Sequence, residues 1–491
     1  MAICLRSRTR SSAPEPVDPG RRAVLKSTLA LGVAATLSPL QTSRANTEPM
    51  LRTFGLTPGL AETRLLPDSA YPPTRVWAYN GSVPAREIRV RQGERIRVEL
   101  LNRLPQPTTV HWHGLRLPNA MDGVPDLTQA PVAPGERFVY EYDARDAGTY
   151  WFHPHFNGIE QVARGLHGVL VVEEPNPPAV DRELTWIVDD WRLEDNAQIA
   201  DDFTSRHDRS HGGRLGNLPT VNGRVSNRLA LRPGERLRLR LVNVANARTF
   251  PLVLSGLPHW VIAVDGQPLP EPVDAREGLL QLAPGNRMDL IVDAQPEAGV
   301  QPALMMEPAR GDPYTLVDIS VDGEPLAKGL AGTQVMSLPA NVQTPFVAAD
   351  SVRHVIDLGG GAMDPKLRRG EVDVETVRAR VGEGRYWTVS MSPAARAPGP
   401  EIEVARGTHV MMELHNDTMF PHPMHLHGHH FQLLDINGQA QQAGIWRDTI
   451  LVNPGDRTRI GFVAEAPGDW LMHCHILAHH ATGMRWTVRV V

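Results

Sequence analysis

Ile88-Arg-Val-Arg-Gln-Gly-Glu-Arg-Ile-Arg-Val-Glu-Leu-Leu-Asn102 is the stretch that decides the fold, because the chain repeats it twice. The second copy is Leu229-Ala-Leu-Arg-Pro-Gly-Glu-Arg-Leu-Arg-Leu-Arg-Leu-Val-Asn243, and the third is Ile402-Glu-Val-Ala-Arg-Gly-Thr-His-Val-Met-Met-Glu-Leu-His-Asn416. Each reads as strand, glycine turn, strand. Period-two alternation predicts one buried face and one wet face. A second triplet follows: Pro134-Gly-Glu-Arg137, Pro284-Gly-Asn-Arg287 and Pro454-Gly-Asp-Arg457 each open a further alternating strand. The copies are about 140 to 170 residues apart, which is the period of tandem domains and far longer than a solenoid unit.

The 491 residues allow about three domains of roughly 150 residues each. Glycine (42) and proline (43) fall between short alternating runs, so the expected class is all-β, built of three tandem β-sandwiches. The expected divisions are a leader over 1–45 and domains over 46–176, 177–340 and 341–491. Pro175-Asn-Pro-Pro178 and the segment from Pro339 to Pro345 serve as linkers. A formal charge of −5 on so long a chain gives no reason to expect nucleic acid or acidic lipid as a partner.

The leader reads as an export signal. Arg21-Arg22 precede a mild apolar stretch from Leu29 to Leu40 and then Ser43-Arg44-Ala45. The apolar core is too short for a stable membrane span. The paired arginines resemble the twin-arginine signal, which hands folded proteins to its export machinery and implies a bacterial periplasmic or secreted destination. Of the two cysteines, Cys4 lies in this leader, so the exported chain keeps Cys474 alone. That excludes an intramolecular disulfide framework.

The repeats differ in their histidines. The first domain carries His111-Trp-His113 and His153-Pro-His155; the third carries His425-Leu-His427 and His473-Cys-His475 at the matching places; the second carries neither pair and is expected to act as a spacer without metal ligands. Residues i and i+2 of a strand share a face. Four such pairs from two facing domains therefore offer eight imidazoles to one cleft, enough for about three copper ions with positions left for oxygen. Cys474 points to the opposite face from its histidine neighbours. With His422, His479 and a weak axial Met484 it makes the donor set of a blue-copper electron-transfer site.

These motifs, HWHG, HPH, HPMHLHG and HCHILAHHATGM, resemble those of the three-domain multicopper oxidases, the family of laccases and bacterial copper-tolerance oxidases, over about residues 50 to 491. The resemblance implies cupredoxin-like Greek-key domains and four coppers. Type 1 copper would lie on His422, Cys474, His479 and Met484. Type 2 would lie on His111 and His425, and the type 3 pair on His113, His153, His155, His427, His473 and His475. It further implies an enzyme that takes electrons singly from a small reduced substrate and passes four of them to dioxygen.

Asp122, in Met-Asp-Gly, is similar to the family's acid near type 2 copper, although Asp-Gly also favours turns. His480 stands where many bacterial relatives have an acid, and an imidazole there can also shuttle protons. Asp417, Met419 and Met363 are candidate contacts for cuprous ion. With no long methionine-rich insert, a phenol or aromatic amine remains an alternative substrate. His207, His211, His429 and His430 show no ligand spacing and are expected at the surface or behind the ligands. The non-enzymatic alternative is a copper-free envelope protein of the same fold, which the complete ligand set opposes. A copper nitrite reductase would not need eight cluster histidines.

Overall fold

The computed structural model describes residues 50–392 and 401–491. The leader motifs within 1–45, including Cys4 and Arg21-Arg22, lie outside the described residues. The strands fall into three groups of sheets, and no sheet shares strands between 51–173, 182–321 and 352–490. The all-β reading therefore holds, with a few short helices at the connections.

The repeated stretch is a corner of the sandwich. In the first copy Ile88–Arg91 joins a four-stranded sheet, while Arg95–Leu101 joins a three-stranded one. In the second copy Asn227–Leu231 and Arg236–Asn243 divide between sheets of five and six strands. Ile402–Val404 and His409–Asn416 divide likewise between sheets of five and seven. The three turn glycines, Gly93, Gly234 and Gly407, have φ of 88°, 84° and 86°. Only glycine adopts this left-handed conformation without steric cost, which is why it recurs at the corner.

The last residue of each repeat is a buried asparagine with one job. Asn102 donates to the carbonyls of Gln106 and Val132, Asn243 to those of Arg248 and Leu282, and Asn416 to those of Phe420 and Val452. Each Oδ1 accepts the backbone N–H two residues on. These bonds fix the loop that leads to the next strand. In the first and third copies that strand carries the first histidines, His111–His113 and His422–Leu426.

One expectation fails in the second copy. In Arg95–Leu101 the residues Ile96, Val98 and Leu100 are buried, while Arg95 and Arg97 pair with Glu141 at the surface. Along Arg236–Asn243 both faces are buried. The arginine face is covered by the first domain's sheet and neutralised there. Arg238 meets Glu174 and Asp289, and Arg240 meets Glu183 and Asp289. Buried guanidinium is tolerated because each has carboxylate partners.

Replacing Asn243, the copy in the domain that carries no His-x-His pair, tests the corner. Asn243→Ala removes three bonds at about 1 kcal/mol each, so urea unfolding should show a loss of about 3 kcal/mol. An unchanged midpoint would mean that the asparagine is dispensable.

Candidate metal centre

Strand pairing assembles the imidazoles. His111–His113 runs antiparallel to Gly148–His153 with His111 opposite His153, and His422–Leu426 runs antiparallel to Gly468–Cys474 with His425 opposite His473. The two halves then face each other. His113 stacks on His425 at 3.7 Å between ring centroids, and His111 on His427 at 3.8 Å. All eight predicted cluster histidines converge. Seven are buried and His155 is half-buried.

Hydrogen bonds fix which nitrogen faces inward in five of the rings. His111 and His425 donate through Nδ1–H to the carbonyls of Asp122 and Asp448, each at 2.9 Å. His427 donates to the Asp122 carboxylate at 2.8 Å, and His473 to the carbonyl of Cys474 at 2.9 Å. His113 donates through Nε2–H to the Asp448 carboxylate at 3.1 Å. Carbonyl and carboxylate oxygens only accept, so the remaining nitrogen in each ring presents a lone pair. Burial, then the crowding of neighbouring imidazoles, holds His427 and the rings of His153, His155, His473 and His475 well below the usual histidine range.

Lone pairs consequently face lone pairs. His111 Nε2 and His425 Nε2 are 3.4 Å apart, and His427 Nε2 and His473 Nε2 are 3.1 Å apart. His113 Nδ1, His153 Nε2 and both nitrogens of His155 and His475 are buried without a partner. A buried polar atom left unpaired costs about 1–3 kcal/mol. Cations between these nitrogens satisfy them, and two nitrogens about 2.0 Å from one tetrahedral ion would stand about 3.3 Å apart. The donor set fits metal ions bound by neutral imidazoles.

Two acids hold the rings, and they do so reciprocally. Asp122 gives its carbonyl to His111 of its own half and its carboxylate to His427 of the other. Asp448 gives its carbonyl to His425 of its own half and its carboxylate to His113 of the other. The turn at Asp122 is pressed onto the strand it serves: a Cβ at Gly123 would collide with the carbonyl of Val110. Asp122 thus lies in a turn and also bonds two of the cluster imidazoles. Asp448 went unnoticed in the sequence because it stands 23 residues after its histidine, whereas Asp122 stands 11 after its own.

Asp448 also corrects the view of the second domain as a spacer. Burial alone would raise its pKa, but Arg287 and then His113 outweigh that and hold it well below the carboxylate range. Arg287, from the second domain's Pro-Gly-Asn-Arg turn, forks onto it at 2.9 and 2.7 Å.

The Cys474 site lies on the other face of the same strand. Sγ is 3.5 Å from His422 Nδ1 and 3.6 Å from His479 Nδ1, and those two nitrogens are 3.1 Å apart. Burial pushes the thiol up, so a cation is needed to keep it as thiolate. The far nitrogen of each ring is capped. His422 Nε2–H donates to Thr418 Oγ1 at 2.8 Å, and His479 Nε2–H to the His211 carbonyl at 2.6 Å. Met484 is fully buried, and its carbonyl accepts the Cys474 amide at 3.1 Å.

The remaining candidates divide. His480 packs against His473 and His155, with ring centroids at 4.4 and 5.3 Å, and burial followed by Arg485 pushes its pKa down to about 3. Asp417 is engaged by Arg457 at 3.1 Å. Met419 and Met363 are 44% and 58% exposed. His207 is exposed, as expected of a surface residue. His211 caps His479 through its backbone. His429 and His430 are buried, and His430 donates to the Gly114 carbonyl at 2.8 Å, directly behind His113.

Comparison with known proteins agrees with this geometry. Family models described as multicopper oxidase match residues 62–177, 182–301 and 373–491. The sequence is 29% identical over 489 residues to multicopper oxidase MmcO of Mycobacterium tuberculosis, covering 93% of this chain and 90% of that protein. It is 27% identical over 529 residues to a copper resistance protein A homolog of Pseudomonas syringae pv. tomato, covering 84% and 88%. The structure matches a multi-copper oxidase from Pseudomonas thermotolerans with a TM-score of 0.77 and 32% identity, over 90% of this chain and all of that one. With its facing imidazole pairs and buried thiol in place, this chain of tandem cupredoxin domains belongs to the multicopper oxidases, oxidoreductases that carry type 1, type 2 and type 3 copper and use dioxygen with a reduced substrate.

Proposed function

We propose that this protein oxidises cuprous ion outside the cytoplasm and passes the electrons to dioxygen, releasing water. The observation that carries the choice of substrate is the closure of the Cys474 site. Both imidazoles there are fully buried and capped at their far nitrogens, so no ring edge is offered to an aromatic substrate. Two exposed soft donors stand beside the caps. Met419 follows Thr418, and Met363 follows Ala362, whose amide donates to the Ser210 carbonyl next to His211. A related protein being named for copper resistance agrees with this reading.

In this reading His422, Cys474 and His479, with Met484 as weak axial donor, hold type 1 copper. His111 and His425 hold type 2, and His113, His153, His155, His427, His473 and His475 hold the type 3 pair. Copper so bound supplies one-electron redox chemistry at the first site and multi-electron chemistry at the cluster. The chain supplies the wiring. Cys474 is one peptide, about 3.8 Å between Cα atoms, from either cluster histidine beside it. Asp122 and Asp448 keep the rings in their ligating tautomers. Asp122, bonded to rings of both halves, and His480, a neutral imidazole packed on two cluster rings, are placed to relay protons. The domains run over 46–176, 177–340 and 341–491, and the leader with Arg21-Arg22 delivers the folded chain to the twin-arginine route. Among the described residues no helix is long and apolar enough to cross a membrane. Nothing in the site favours the copper-free alternative.

Oxygen uptake by the copper-loaded protein across a panel of reductants tests the substrate. Cuprous ion should give the highest kcat/KM, and Met419→Leu and Met363→Leu should raise its KM. Faster turnover of a phenol than of cuprous ion, with both variants unchanged, would reverse the assignment. Asp448→Asn tests the clasp: chelator competition should release cluster copper with about 10- to 100-fold lower affinity. The blue absorption of the Cys474 site should persist in that variant. Equal copper retention by both proteins would remove Asp448 from the supporting set.

A further inference from the structure

Beside the cluster lies a cavity of about 270 Å³, lined by His153, His155, Asn157, Arg209, His480 and Arg485 among others. Three parts of the chain meet there: the end of helix Arg206–Ser210, the start of helix Gly158–Ala163 and helix Leu477–Ala481 with the residues after it. Asn157 and Arg485 are exposed, so the cavity opens to solvent, and two cluster histidines line it, His153 and His155, of which His155 is not fully buried.

The charge in this cavity is uncompensated. Neither Arg209 nor Arg485 has an ion pair or a side-chain hydrogen bond among the described residues, and Arg209 Nε is buried with no partner. No carboxylate lines the cavity. This is unlike five other arginines near the domain junctions. Arg116, Arg236, Arg238, Arg240 and Arg287 each carry at least one carboxylate. A guanidinium keeps its charge at every working pH, and its planar fork matches the oxygens of an oxyanion. Low-dielectric walls focus the field of two such groups. The volume is below that of most organic ligand pockets and suits a small inorganic ion.

We propose that Arg209 and Arg485 form a binding site for a small inorganic oxyanion of the size of sulfate, nitrate or bicarbonate, and that an anion held there obstructs the passage of dioxygen to His155. The protein is thereby an oxidase whose oxygen affinity falls with oxyanion concentration. Binding at the arginines is independent of the function proposed above; its effect on oxygen rests on that function.

Sulfate and its heavier analogue selenate are the probes, because both are weak copper ligands and test the arginines rather than the metal. Crystals of the copper-loaded protein soaked in selenate should show anomalous density between the two guanidiniums, absent in the Arg209→Gln, Arg485→Gln double variant. In solution, at ionic strength held with a bulky sulfonate salt, sulfate should raise the KM for dioxygen. Arg209→Gln alone should need about tenfold more sulfate for the same effect, as expected from losing a hydrogen bond to a charged group. Since neither side chain is bonded within the fold, the substitutions leave no buried partner exposed. Selenate density absent from the arginines, density only against the imidazoles, or equal sulfate sensitivity of variant and parent would each overturn the proposal. The diffraction measurement reads binding without turnover, so a failure of the oxidase assignment would not be mistaken for a failure of the anion site.

Discussion

The metal centre depends on two aspartates, each of which spans the joint between the halves that supply the histidines. Asp122 and Asp448 are related as the halves themselves are: backbone carbonyl to the near ring, carboxylate to the far ring. A carbonyl holds a tautomer but carries no charge. A carboxylate also draws positive charge toward the ring it faces. Each acid orients the first histidine of its own half through its carbonyl, and its carboxylate bonds one histidine of the other half while also lying 3.2 or 3.4 Å from the near ring. Loss of either carboxylate would free the far imidazole across the joint while the near ring keeps its backbone carbonyl, so ring orientation and joint geometry are one constraint. Hydrogen bonds from metal-binding imidazoles to such acceptors commonly set both ring angle and donor strength.

A carboxylate in so dry a place needs a countercharge, and for Asp448 it comes from the domain that has no histidine pairs. Arg287 completes the ionic contact, and Asn286 beside it donates to the carbonyl of Thr449. The glycine before them is needed for the approach. Gly285 has φ 85°, and a Cβ there would press on the rings of His113 and His475. The second domain thus keeps the Pro-Gly-x-Arg turn because its arginine, unlike Arg137 and Arg457 of the other copies, points into the centre. Removing one partner of a buried pair is far more damaging than never having had the pair, which ties this domain to the site as firmly as a ligand would.

Much of this was legible in the sequence, for identifiable reasons. The corner glycines and terminal asparagines recur at fixed places in each repeat, so the domain pattern could be read directly. His-x-His on a strand states its own geometry, and Cys474 between two such histidines states that it faces the other way. Asp122 was visible because Asp-Gly is a turn signal at a short distance from the histidines. Asp448 was not, because an insertion in the third domain lengthens the corresponding interval and the residue falls in Arg447-Asp448-Thr449, which carries no local signal. Arg287 was hidden differently: its motif was plain, but periodicity shows only that a residue alternates, and not that its wet face is covered by another domain. The same blindness applies to Arg236, Arg238 and Arg240. His211 and His430 act through a backbone carbonyl and a backbone partner, and such contacts depend on tertiary approach alone.

The two ends of the electron path differ in a way that follows from what must cross each. Electrons tunnel across short non-bonded gaps and need no opening, so the Cys474 end can be sealed. His479 lies against Trp387 with ring centroids 4.0 Å apart, and its outer nitrogen is closed by the His211 carbonyl. Sealing removes water from around the thiolate and lowers the reorganisation that accompanies a change of charge. Dioxygen is a molecule and needs an aperture, and His155 is the cluster histidine that is not fully buried and lines a solvent-open cavity. An aperture beside eight imidazoles admits any small solute, so its selectivity has to come from the side chains at its mouth. Here those include two arginines without carboxylate partners among the described residues, Arg209 and Arg485, whose charge repels cations. If cuprous ion is the substrate, as proposed, this charge would keep copper ions from the cluster while the sealed face beside Met419 and Met363 receives them.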